Sequence, residues 1–132
     1  MSKGLNELRD EAFRIAKEHG FKDASIGEDI ALMHSELSEA LEDHRAGKIA
    51  HEMQYERAGD GAHMSAESID HARVLFNNDK LPKPIGIPSE MADAIIRILH
   101  FSGKHGIDIE KAVVEKMAYN ESRPYLHGGK KL

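Results

Sequence analysis

Apolar residues recur at helical spacing in four stretches of the chain. The first is Leu5, Leu8, Ala12, Ile15 and Ala16, closed by His19-Gly20. The second opens at Ser25-Ile-Gly-Glu28, which has capping-box spacing and predicts a helix start near Ile26. Its apolar stripe is Ile26, Ile30, Met33, Leu37 and Leu41, with Gly47 as the stop. The third has Pro88 in its first turn and runs through Met91, Ile95, Ile98 and Leu99 to Gly103 or Gly106. Asp108 caps the fourth, which carries Ile109, Val113 and Met117 and ends at Arg123-Pro124. No strand-like alternation of any length is visible, so the expected class is all-α. Short links between helices one and two, and between three and four, predict antiparallel hairpins packed as a helical bundle.

Residues 48–84 break this pattern and read as a long insert between the second and third helices. They are rich in Gly, His, Asp and Met, with one short helical candidate from Ser65 to Asn77. An extended, proline-containing lead-in, Lys80 to Pro88, follows. A connection of this length is either a surface excursion or a lid or partner-contact element over a nearby site.

Composition narrows the class. At 132 residues the chain fits one domain, spanning 1–132. It has no cysteine, which removes disulfides, thiolate zinc sites and cysteine nucleophiles. Eighteen Lys/Arg against 23 Asp/Glu give a formal net charge of −5, the wrong sign for a general binder of nucleic acid or anionic membrane. Aromatics are 5% and tryptophan is absent, which argues against base-stacking platforms. No apolar run approaches the roughly 20 residues that span a bilayer, and the N-terminus leads into a charged segment, so the expected location is the cytoplasm.

The candidate chemistry lies in two carboxylate pairs, Glu36-Leu-Ser-Glu39 on the second helix and Glu90-Met-Ala-Asp93 on the third. Residues three apart share a helix face, with Cβ atoms about 5–6 Å apart. Two facing pairs would gather four negative charges, an arrangement that calls for a divalent cation. All-oxygen ligands favour Mg²⁺ or Mn²⁺ over zinc. The spacing alone carries little weight, because the sequence holds five such acidic pairs where about four arise by chance. The competing reading is a solvated face with Asp93 paired to Arg97 one turn on.

The order Glu-x-x-Glu, Glu-x-x-Asp and then Lys116-Met-Ala-Tyr-Asn120-Glu-Ser-Arg123-Pro on the last helix resembles the MazG-like, all-α nucleoside triphosphate pyrophosphohydrolases. The similarity is best over residues 30–45 and 85–125. It implies hydrolysis of (deoxy)nucleoside triphosphates to monophosphate and pyrophosphate, in nucleotide-pool housekeeping, with Mg²⁺ (or Mn²⁺) held by Glu36, Glu39, Glu90 and Asp93. Lys116 and Asn120 would face the phosphates and sugar, with Arg123 nearby, and Glu39 would also orient or deprotonate the attacking water. The resemblance further implies a homodimer or homotetramer. Two departures stand out: 50 residues separate Glu39 from Glu90, and no tryptophan is available to hold a base. Phe13, His34, Phe101 and Tyr119 are the remaining base-contact candidates, with Phe13 and Phe101 read as core.

The histidines form no Glu-x-x-His pair and no His-Glu-x-x-His motif. Asp60, His63, His51 and His71 in the insert read as solvated loop residues rather than a metal site. The alternative to an enzyme is a non-catalytic helical oligomerisation or binding module, distinguished by its weak response to Mg²⁺.

Overall fold

The computed structural model describes residues 2–20 and 23–124. The chain divides into two compact units, one of residues 1–22 with 99–132 and one of residues 23–98.

In the first unit, α1 (Leu5–Glu18) contacts α5 (Ile109–Ser122). Polar side chains fasten the pair at the start of α5. The Asn6 amide donates to Asp108 Oδ1 at 2.9 Å, and Asn6 Oδ1 accepts from the Glu110 N–H at 3.2 Å. Asp108 meanwhile caps α5 by accepting from the Lys111 N–H. Arg9 donates to the Ile107 carbonyl at 2.8 Å. Phe13 lies directly on Gly103, where an added Cβ would stand 2.8 Å from the Phe13 Cβ and 3.3 Å from the Arg9 carbonyl oxygen. Phe13 also stacks on His100, with centroids 6.0 Å apart, and Phe101 lies against His105. Both phenylalanines are half-buried, in line with the core role expected of them.

The second unit begins with α2 (Ile26–Arg45). Its capping box is complete: Ser25 Oγ accepts from the Glu28 N–H at 3.1 Å, and Glu28 Oε1 accepts from the Ser25 N–H at 3.2 Å. Gly47, at φ 85°, follows the helix as anticipated. The insert then corrects the all-α expectation. It contains a three-stranded antiparallel sheet of β1 (Gln54–Glu56), β2 (His63–Ser65) and β3 (Lys83–Ile85), in the order β2-β1-β3. Each strand has three residues, too few for alternation to show in sequence. Pro84 is tolerated because β3 is an edge strand.

The short helix also begins later than expected. Ser65 belongs to β2, and α3 (Ile69–Phe76) starts behind Ser68, whose hydroxyl accepts from the His71 N–H. Asn77 ends it in the left-handed conformation, φ 50°. Tyr55, Ala72 and Phe76 form a small core, with Met64, Ala66 and Ile69 packed against it. Arg57 covers the Phe76 ring at 5.6 Å. The insert is thus a packed element with its own core.

Helix α4 (Ile87–Lys104) follows β3 after one residue, Gly86, at φ 95°. Residues 87–98 belong to the second unit and the remainder to the first. The Gly86 carbonyl accepts from the Glu90 N–H at 3.1 Å, and the Pro84 carbonyl accepts from Ser89 Oγ at 3.1 Å. The edge strand and the first turn of α4 are therefore hydrogen-bonded together.

The helical stripes differ from the expected core. On α2, Ile26, Ile30, Leu37 and Leu41 are exposed, and the buried positions are Glu36 and Ala40. On α4, Met91, Ile95 and Ile98 are exposed, while Ala94 and Leu99 are buried. Periodicity identified the apolar faces, but these positions are exposed among the described residues. No helix among the described residues is long and apolar enough to cross a membrane.

Candidate metal centre

Helices α2 and α4 present their acids to one another in reversed order. Glu39 and Asp43 act on Glu90, while Glu36 acts on Asp93 and pairs with Arg97. The two segments therefore run antiparallel, with Glu36, Glu39 and Asp43 on one side and Glu90, Asp93 and Arg97 on the other. Spacings of three and four residues keep each triplet on one helix face.

Glu36, Glu39 and Glu90 each bring one carboxylate oxygen into a group whose members all lie within 4.8 Å of one another. Two opposite oxygens on one Mg²⁺ ion lie about 4.2 Å apart, so the group has the size of a cation site. It is the only such group among the described residues. Glu36 is buried, Glu90 half-buried and Glu39 exposed, so the cluster runs from the interior to solvent.

The electrostatics suit a divalent cation. Burial pushes the Glu90 carboxyl up to about 7, reinforced by a hydrogen bond to Glu39 and by the charges of Glu39, Asp93 and Asp43. A proton at Glu90 thus relieves part of the repulsion. Asp93 is also raised, first by burial and then by Glu36, while Arg97 and Lys83 pull it back. Two carboxylate oxygens from opposite helices, Asp43 Oδ2 and Glu90 Oε2, are buried without a hydrogen-bond partner among the described residues. Buried acceptors of this kind are costly unless something satisfies them. Oxygen-only donors and shared protons are what a hard divalent cation displaces and coordinates.

Three of the four expected ligands therefore converge, and Asp93 stands at the edge of the group. Asp43 was not singled out in sequence, although its spacing of four from Glu39 and seven from Glu36 puts it on the same face. Its other oxygen is 3.4 Å from Lys48 Nζ. In the competing reading Arg97 pairs with Asp93; the hydrogen bond of Arg97 Nε instead goes to Glu36 Oε1 at 2.7 Å, across 61 residues, while its charge still acts on Asp93. Glu36 is the only charged residue buried among those described, and this bond is what its burial requires.

Lys116, Asn120 and Arg123 lie on or just after α5, in the first unit. Lys116 and Arg123 approach the exposed Tyr119 ring, at 5.4 and 5.7 Å. His34 is exposed on α2. The insert histidines do not gather. His63 Nε2 meets Glu56 at 3.2 Å, His71 Nδ1 accepts from the Glu67 N–H, and Asp60 is bound to Arg57. His51 and His71 line an open hollow of about 540 Å³ with Glu52, Met53, Ser65 and Glu67. No protein-family model, curated protein or solved structure matches this chain.

Proposed function

We propose that this protein is a Mg²⁺-dependent nucleoside triphosphate pyrophosphohydrolase of MazG-like type, releasing pyrophosphate and a monophosphate from (deoxy)nucleoside triphosphates. The observation that carries the reading is the convergence of Glu36, Glu39 and Glu90 beside two unpartnered buried carboxylate oxygens. Glu36, Glu39, Glu90 and Asp93 would hold the ion, with Asp43 supplying a further oxygen. When bound, Mg²⁺ (or Mn²⁺) neutralises phosphate charge and acidifies water.

The side chains divide the remaining work. Glu39 is the exposed member and the one beside the Glu90 proton, so it is the acid best placed to take a proton from the attacking water. The water oxygen bonds to the α-phosphorus as the bond to the bridging oxygen breaks, and pyrophosphate leaves. Arg97 holds the Glu36 carboxylate in place through its Nε–H bond. The roles of Lys116, Asn120 and Arg123 toward phosphates and sugar rest on the resemblance. Assembly as a homodimer or homotetramer is supported by the exposed apolar residues Ile30, Leu37 and Leu41 on α2 and Ile95 on α4.

The test is pyrophosphate release from a panel of canonical and modified nucleoside triphosphates with Mg²⁺, beside Glu39→Gln. The expected result is monophosphate plus pyrophosphate, lost with EDTA and reduced at least about 100-fold in the variant. Silence across the panel, with no Mg²⁺-induced rise in melting temperature, would favour the second reading, a non-catalytic helical oligomerisation module. The same exposed apolar faces support that reading, in which Arg97 already neutralises Glu36.

A further inference from the structure

The carboxylate cluster has two different ends. At one, the carboxylates of Glu39, Asp43 and Glu90 lie close together, and Asp43 Oδ2 and Glu90 Oε2 are buried without a hydrogen-bond partner among the described residues. At the other, Glu36 and Asp93 are already attended by cations: Arg97 is bonded to Glu36, and both Arg97 and Lys83 act on Asp93. Arg97 follows Asp93 by one turn and Glu90 by two, on the same face of α4. Its Nε–H is committed to Glu36, and among the described residues neither of its Nη groups has an acceptor. The Arg97 side chain is 40% exposed, whereas that of Glu36 is 9% exposed. The guanidinium is therefore clamped at its inner edge and open at its outer edge. A planar fork held in this way suits a phosphate group, which takes two parallel N–H donors.

We infer that Arg97 is a phosphate-contacting residue of this site: with Nε–H on Glu36, its Nη groups bind the polyphosphate, and Lys83 adds charge on the same side. The inference rests on the cation reading of the cluster and gives the site a direction. The cation belongs among the converging carboxylates and the phosphate chain at their outer, Arg97–Lys83 edge.

The experiment is calorimetric titration of wild type, Arg97→Gln and Arg97→Lys with two probes, Mn²⁺ alone and inorganic pyrophosphate, the latter with and without Mg²⁺. Arg97→Lys retains a positive charge for Glu36 and guards against misfolding of the glutamine variant; circular dichroism verifies both. The expected result is Mn²⁺ affinity within about threefold of wild type, and pyrophosphate binding weakened about 10- to 100-fold in Arg97→Gln and less in Arg97→Lys. Unchanged pyrophosphate binding overturns the inference. So does an equal loss for both probes, which would make Arg97 a prop for Glu36 alone. A wild-type chain that binds no Mn²⁺ refutes the cation reading instead, and pyrophosphate without metal then still decides Arg97.

Discussion

Glu90 offers the sharpest test of the carboxylate cluster. Its carboxyl is raised from an ordinary value of 4.5 to about 7, chiefly by burial and then by Glu39. For an acid with a raised folded-state value, the folded chain binds more protons than the unfolded chain between those two values. Stability without metal therefore falls as pH rises from about 4.5 to about 7, and the full cost is present above that window. That displacement is worth at most about 3 kcal/mol, at about 1.36 kcal/mol for each pH step. The cluster opens to solvent at Glu39, and screening there reduces the cost to about 1 kcal/mol. Glu90→Gln removes the charge and retains a donor for Glu39. The variant should be more stable than wild type by about 1 kcal/mol at pH 8 in EDTA, a rise of about 3–6 °C in melting temperature. At pH 4 the two should melt alike. Asp93, raised in the same direction, leaves a smaller residual slope in the variant. Mg²⁺ should reverse the ranking at pH 8, because it binds the chain with the full ligand set more tightly and so stabilises it more. Thermal melts from pH 4 to 8, with EDTA or Mg²⁺, provide the measurement. A wild-type profile flat across that range in EDTA, with no gain in the variant, would refute the reasoning.

Two further predictions concern the scaffold. Gly103→Ala should lower stability by about 1–3 kcal/mol, since its Cβ would meet Phe13 and the Arg9 carbonyl; chemical denaturation measures it, and a neutral result would mean that α1 moves freely. Phe76→Ala should cost about 3–5 kcal/mol and disorder the insert, seen as fast amide exchange at Tyr55 and Met64; protected amides in the variant would show that the core forms without this ring.

Much of the helical framework was legible because its signals are local. The Ser25–Glu28 box, the Asp108 cap and Gly47 each act within one turn, and helical periodicity extends over 14–20 residues in α1, α2, α4 and α5. The sheet was not legible, because three-residue strands have no period to read and their stability comes from pairing across up to 31 positions, as in Gln54 with Ile85. In the candidate site, spacing was enough to select Glu36, Glu39 and Glu90. Local spacing also suggested Asp93–Arg97, but burial of Glu36 on another helix outweighed it. Asp43 carried a readable signal, the continuation of the Glu36–Glu39 face by four residues. Which apolar face would be covered was not readable, since period identifies a face without naming what packs on it.

Gly86 alone separates the last strand from the helix that carries Glu90, and a backbone bond from Glu90 closes over it. Slack is therefore nearly absent between the sheet and that carboxylate. Trimming residues 48–84 to a short connector would not be a neutral loop deletion, because it would also detach the reference point from which α4 counts its first turn. The stretch that looks most dispensable in the sequence acts as the mounting plate for one half of the acid cluster.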